Sequence, residues 1–379
     1  MFKMGNNNSR FAGIFRSYLL PGLVFQSVII GGGYGTGREI AEFFLVHGPL
    51  GGLLGMLLAC AGWSIVLAMA FEFARLTRSY DYRTFFRNLL GPAWPLFEIL
   101  YLLIALLVLA VLGSAAAEMV SSALEVPGIL GTLALLAAVG ALAYFGSRVI
   151  ERALAFWSLL LYGVYAMFLV WVLSKFGEQI TGALQSREVI GNWHLDGLRY
   201  AAYNLNVLAA VLFVIPHLQT RREAVGAGAL AGVIGIVPGI FVFIAMLAQY
   251  PQIIDMPVPI TSLLQGLNAV WFLLIFQVVL FGSFIETGAG IIHAINERVA
   301  GVFAERKLPF PNRLRLGIAI VSLGGAVYLA EQFGIVELIA KGYGYLSYGY
   351  IAVVILPLLT LGLFHIVRDR RGNYRLSGT

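Results

Sequence analysis

Two clusters of residues in this chain are of types and spacings that could do chemistry. The first is Gly31-Gly32-Gly33-Tyr34-Gly35-Thr36-Gly37, followed at once by Arg38 and Glu39. Each glycine costs a helix roughly 1 kcal/mol against alanine, so five in seven positions interrupt it. An interrupted helix leaves amides at the start of one half and carbonyls at the end of the other, and such ends hold charged groups without ionisable side chains. A carboxylate is expected on amides near Gly33, Tyr34 and Gly35, with Gly31 and Thr36 beside them. The second cluster is Ser283, Glu286 and Thr287, whose oxygens fall on one helical face. Glu286 could take up and release a proton, with His293 two turns on as a relay.

The elements that must carry these clusters are membrane spans. Of 379 residues, 60% are hydrophobic and 12% charged, and the mean hydropathy is +0.87, outside the range of soluble domains. Apolar runs long enough to cross about 30 Å of hydrocarbon recur along the whole chain. Met1–Ser9 is polar and lacks a small-residue cleavage site, so the first apolar run is expected to be a retained span. The single cysteine excludes an intrachain disulfide and a Cys-based metal site. The net charge of +6 is explained by loop topology, not by nucleic-acid binding. Broken backbone at membrane depth must line a cavity or be buried in protein. A broken first span with a charged pair points to the binding site of a secondary transporter.

The hydropathy pattern predicts ten spans: 18–46, 50–76, 94–124, 128–145, 152–173, 198–217, 225–250, 263–294, 316–333 and 336–367. Basic residues then gather on one side. They are Lys3, Arg10 and Arg16 in the N-terminal tail, Arg75, Arg78, Arg83 and Arg87 after the second span, Arg221 and Arg222 after the sixth, Arg298, Arg306 and Arg313 around the eighth-to-ninth loop, and Arg370, Arg371 and Arg375 at the C-terminus. That side, with both termini, is expected in the cytoplasm of a bacterial-type cell membrane. Ten spans divide into two fives of opposite orientation, an inverted repeat. The expected division is 1–174 and 196–368, joined by an extracellular loop at 175–195. Between the second and third spans, Tyr80–Leu90 alternates Arg83 and Arg87 with Phe85, Phe86 and Leu90, as an interfacial helix would. The proline-rich 251–259 segment is expected to cap the outer face.

The run from Gly31 to Glu39 with Ile40-Ala41-Glu42-Phe43-Phe44, and Ile285-Glu286-Thr287-Gly288-Ala289-Gly290 in the eighth span, resemble the YkvI-type family of bacterial membrane proteins. That family is grouped with amino-acid permeases of the amino acid-polyamine-organocation superfamily. The resemblance implies an all-α, five-plus-five LeuT-like fold with discontinuous first and sixth helices and a substrate between them. On the sixth, Tyr203, Asn204 and Asn206 are the candidate contacts and Phe213 flanks the pocket. The fold also implies a sodium ion shared by Ser283 and Thr287 with first-span carbonyls from Ile30 to Gly33. An outer gate would join Arg38 to Glu337, with Glu42 as the competing partner. Val214-Ile215-Pro216-His217 is similar to the Met-Pro-His element of Nramp metal transporters, with Ile215 in place of the metal-binding Met.

The expected function is alternating-access transport of an amino acid or similar zwitterion, coupled to sodium or protons, with lipid as the surrounding partner and no cofactor beyond a sodium ion. Homo-oligomerisation is left open. An ion channel would want a continuous polar pore. A transport-inactive sensor would keep the fold and bind without flux. No nucleophile with base partners stands at readable spacing, so no enzyme is expected.

Overall fold

The structure, a computed structural model, describes residues 13–30, 32–145 and 147–369. Gly31, Lys3, Arg10, Arg370, Arg371 and Arg375 lie outside the described residues. Among the described residues the chain is helical, with no strand. Helices α1 (Leu20–Ile29), α2 (Gly32–Thr36) and α3 (Arg38–Phe43) make the broken first segment, followed by α4 (Gly48–Thr77), α5 (Tyr82–Leu90), α6 (Pro95–Leu124), α7 (Ile129–Phe145) and α8 (Ser147–Gln185). The second half runs through α9 (Trp193–Asn204), α10 (Leu208–Val211), α11 (Arg221–Met246), α12 (Pro259–Gly266), α13 (Val270–Glu305), α14 (Asn312–Glu337), α15 (Gly344–Tyr350) and α16 (Leu363–Asp369).

Seven segments among the described residues are long and apolar enough to cross a membrane. The last of them, Arg313–Arg368, has 56 residues, about 84 Å if wound continuously, and it turns at Gly334 (φ 66°, ψ 170°). The ten-span division takes, beyond those seven, the broken first segment, the short α7 and a split at Gly334. Large apolar side chains such as Val170, Val321 and Ile65 are exposed on the outside, while Trp63, Tyr200 and Phe25 are fully buried. That is the distribution of a bundle solvated by lipid.

The first segment breaks twice. α1 ends at Ile30, whose ψ of 69° leaves the helical region, and Gly37 between α2 and α3 has φ 79°, a left-handed conformation that glycine adopts without strain. The sixth segment is discontinuous through a change of winding, not an open gap. The α pattern stops at Asn204 and passes through a tight 3-10 turn (Leu205–Val207), one α turn and a second 3-10 stretch (Leu212–His217). There is no glycine in 198–217, and tighter winding keeps carbonyls bonded that an open break would leave bare among apolar neighbours. The 175–195 connection is also shorter than expected. α8 kinks at Phe176 (φ −117°, ψ 23°) and a further helical stretch runs on to Gln185, with Lys175 donating to the carbonyls of Gly266 and Leu267 at 3.1 and 3.0 Å, and only 186–192 link it to α9.

Close helix contact rests on small residues. A Cβ on Gly228 of α11 would lie 2.4 Å from the Ala68 backbone of α4, and one on Gly232 would lie 2.5 Å from the Ser64 nitrogen. With lipid tails as apolar as leucine, such backbone approach is what drives these helices together. A Gly232→Val substitution is therefore expected to cost about 1–3 kcal/mol or more by overpacking. It should lower the thermal midpoint and the monodisperse yield in detergent, whereas Gly324→Val, which meets nothing within 4 Å, should leave both unchanged.

Candidate functional site

Where the α1 break meets the change of winding in the sixth segment, the structure holds a cavity of about 120 Å³. Val28 and Ile29 from the end of α1, Glu39 of α3, Tyr101 and Ile104 of α6, Tyr203 and Asn204 of α9, Asn206, Thr287 of α13 and Tyr343 line it. Its polar centre is Glu39, 6% exposed, whose Oε2 accepts a hydrogen bond from the Tyr203 hydroxyl at 2.6 Å. The Tyr203 ring stacks on Tyr343 at 4.6 Å. Asn204 Nδ2 donates to the Tyr200 carbonyl at 2.9 Å, and Asn206 Nδ2 donates to the Tyr203 carbonyl at 2.8 Å. Both amide nitrogens thus serve the backbone where the winding changes, and both Oδ1 atoms remain as acceptors.

Arg38 precedes Glu39 but, lying about 100° around the helix from it, meets different partners. It is 2% exposed. Its guanidinium donates to Glu42 at 2.6 Å and to the carbonyls of Ile254 and Met256 at 2.5 and 3.1 Å. The expected Arg38–Glu337 pair is not formed. Glu337 instead pairs with Lys341 one turn on, at 2.6 Å, because an exposed i, i+4 partner is closer than anything across the bundle. Arg38 therefore pins the 251–258 connection, which contains the short turn Gln252–Asp255.

On the other side of the cavity, Tyr101 also lines a larger space of about 390 Å³ with Tyr82, Arg83 and Arg298. Tyr101 is thus the wall between the two. The Arg298 guanidinium lies 3.5 Å from the Tyr101 ring centroid and 3.8 Å from that of Tyr82, and it pairs with Glu98 at 2.9 Å. Arg83 donates to the Tyr82 hydroxyl at 3.1 Å and to the Arg298 carbonyl at 3.3 Å. Burial pushes the Tyr82 phenol above its usual range, Arg298 acting the other way, so it joins this network as a neutral donor. α5 carries it there: Asp81 caps the helix by accepting from the Thr84 amide, and Phe85 and Phe86 are buried.

The remaining expected site residues are dispersed. Tyr34 is buried beside Gly239 and, with Ile30, Tyr162 and Tyr165, lines a separate cavity of about 250 Å³. The Gly35 carbonyl accepts a hydrogen bond from Tyr165, and a Cβ on Gly35 would meet Leu280 at 2.7 Å, so this glycine packs against the supporting helices α8 and α13. Gly33 lies within α2, and the buried Thr36 accepts from the Arg38 amide at 3.3 Å. Phe213 is 64% exposed and lies outside the pocket, on the outer surface of the second 3-10 stretch. Ser283 is buried and Glu286 and His293 are half-buried on α13; of that group only Thr287 reaches the central cavity. Among the described residues no three His, Cys, Asp or Glu side chains cluster as a metal site requires. Glu39, Tyr101 and Tyr343 were not legible as lining residues. The one available signal was that Glu39 follows the glycine run and has a helix face of its own beside Arg38.

No family model matches the chain. Over 342 residues, 88% of this chain and 93% of the relative, it is 23% identical to the "Uncharacterized membrane protein YkvI" of Bacillus subtilis (strain 168). Its fold is similar to that of Mhp1 in an inward-facing conformation, with a TM-score of 0.62 at 14% identity over 92% of this chain and 77% of that one. A substrate-bound, outward-open Na+-coupled sialic acid symporter gives 0.57 at 12% identity over 93% and 84%. A manganese transporter of Eremococcus coleocola gives 0.51 at 14% over 97% and 86%. The chain is thus similar to YkvI over most of both lengths, and its fold is the LeuT-like one that these solved structures share.

Proposed function

We propose that the protein is a secondary active transporter of a small amine-bearing solute, the class to which amino acids belong, working by alternating access and coupled to sodium or protons. The observation that carries this reading is the small cavity at the helix break, centred on a buried carboxylate. We assign its two closures to contacts that lie beside it. On one side Arg38 ties α3 to the 251–258 connection; on the other, the Tyr101 ring stands under Arg298. Separating such closures, one at a time, is the motion that alternating access needs.

The basic side, with Arg83 and Arg298, is taken as cytoplasmic. Release then proceeds past Tyr101 into the 390 Å³ space, and entry requires the 251–258 connection to lift from Arg38. Coupling is assigned to the α13 face: Ser283 and Thr287 for sodium, Glu286 with His293 for protons. An intramembrane carboxylate is functional by default, because its charge must be compensated.

Purified protein in liposomes is expected to show saturable uptake with counterflow, which a channel or a sensor would lack. Glu286→Gln should abolish accumulation against a gradient while sparing exchange if protons drive transport; unchanged accumulation and pH response would remove Glu286 from coupling. For the outer closure, Arg38→Gln should raise hydrogen–deuterium exchange across 251–258, and an unaltered exchange profile would dissociate Arg38 from it. For the inner one, a thiol at Thr287→Cys in a Cys60→Ala background should react several-fold faster with an impermeant reagent from the basic side once Tyr101→Ala is added.

A further inference from the structure

We infer that the central cavity selects a small organic monocation, a primary amine whose carboxylate is dispensable, over the zwitterionic amino acid; this rests on the transporter reading of the same cavity. Its charge balance is one-sided. Among the described residues one carboxylate, Glu39, lines it, and no Lys, Arg or His does. The Tyr203 hydroxyl satisfies one oxygen of that carboxylate at 2.6 Å, but a neutral donor leaves the charge uncompensated. The neighbouring guanidinium of Arg38 is directed to Glu42 and to the carbonyls of Ile254 and Met256. A buried carboxylate with such partners requires a cation or a proton.

The other polar groups at the cavity also suit a donor-rich cation. Val28 and Ile29 end α1 there, bringing the negative end of that helix and its unpaired carbonyls. Asn204 and Asn206 have committed their Nδ2 atoms to backbone carbonyls, so what they offer is Oδ1. Tyr101, Tyr203 and Tyr343 line the cavity with aromatic side chains that carry no positive charge. Among the described residues a ligand carboxylate finds no charged counterpart here, only neutral hydroxyls such as that of Thr287. Of the segment expected to receive it, Tyr34 lines the separate cavity and Gly35 packs on Leu280 and Tyr165. Burying an unpaired carboxylate beside Glu39 would be opposed by both desolvation and repulsion. At about 120 Å³ the space is roughly that of four waters at about 30 Å³ each, which limits the ligand to a few heavy atoms.

The test is binding to the purified full-length protein, by calorimetry and thermal stability, of four probes: ethylammonium, alanine, propionate and sodium chloride. Ethylammonium should bind at least tenfold more tightly than alanine, and propionate should not bind. Glu39→Gln should abolish ethylammonium binding, and Tyr203→Phe, which keeps the ring, should weaken it several-fold if the Gln variant fails to fold. Alanine binding as tightly as ethylammonium would overturn the cation preference and leave the transporter reading standing. Stabilisation by sodium alone, lost in Glu39→Gln, would make Glu39 an inorganic-ion site and overturn the inference too. Ethylammonium binding through Glu39 with no flux of any probe in liposomes would instead sustain the ligand class and defeat the transporter reading.

Discussion

A helix interrupted inside hydrocarbon has backbone amides and carbonyls that no water can satisfy, and the rest of this bundle is arranged around that constraint. At the α2–α3 break Tyr165 donates to the Gly35 carbonyl, while at the end of α1 Val28 and Ile29 line the central cavity. One break is thus supported by a neighbouring side chain and the other borders open space, as broken backbone at membrane depth requires.

Holding the break open takes a rigid surround. α4 and α11 supply it by approaching at backbone distance through Gly228 and Gly232. An aromatic cluster joins them to α9: Phe25 meets Trp63 edge-on at 5.2 Å, Phe44 meets Tyr200 at 4.7 Å, and the Trp63 indole donates to the Ala201 carbonyl at 2.9 Å. Beside the 186–192 connection, His47 bridges the Ile190 carbonyl and Asp196, which also accepts from Arg199. These contacts fix α9, and with it Tyr203, relative to Glu39.

The two contacts proposed as closures differ in kind. Arg38 binds carbonyls of a connecting segment, and water can replace such hydrogen bonds if they part. Arg298 sits between two aromatic faces and a carboxylate, and parting these requires moving helix ends that carry them. An arginine is suited to this, since its planar group stacks and bonds at once.

Much of this was written in the sequence, because membrane physics is stringent. Hydropathy alone requires helices, charge placement assigns a basic face, and five glycines within seven residues compel a break in the first segment. The amphipathic α5 was readable from Phe85, Phe86, Arg83 and Arg87 for the same reason of periodicity. What tertiary structure decided is which way each side chain near the break turns. Arg38 and Glu39 are adjacent, and only the packing of α3 sends one to a loop and the other to the cavity. Phe213 was readable as aromatic but not as outward-facing, because the 3-10 winding of its segment shifts the register that α periodicity assumes. Tyr101 and Tyr343 come from segments far apart in the chain, and nothing local relates them to Glu39. Side-chain type and spacing report local geometry, whereas a cavity between five helices depends on their relative rotation, which long-range packing sets.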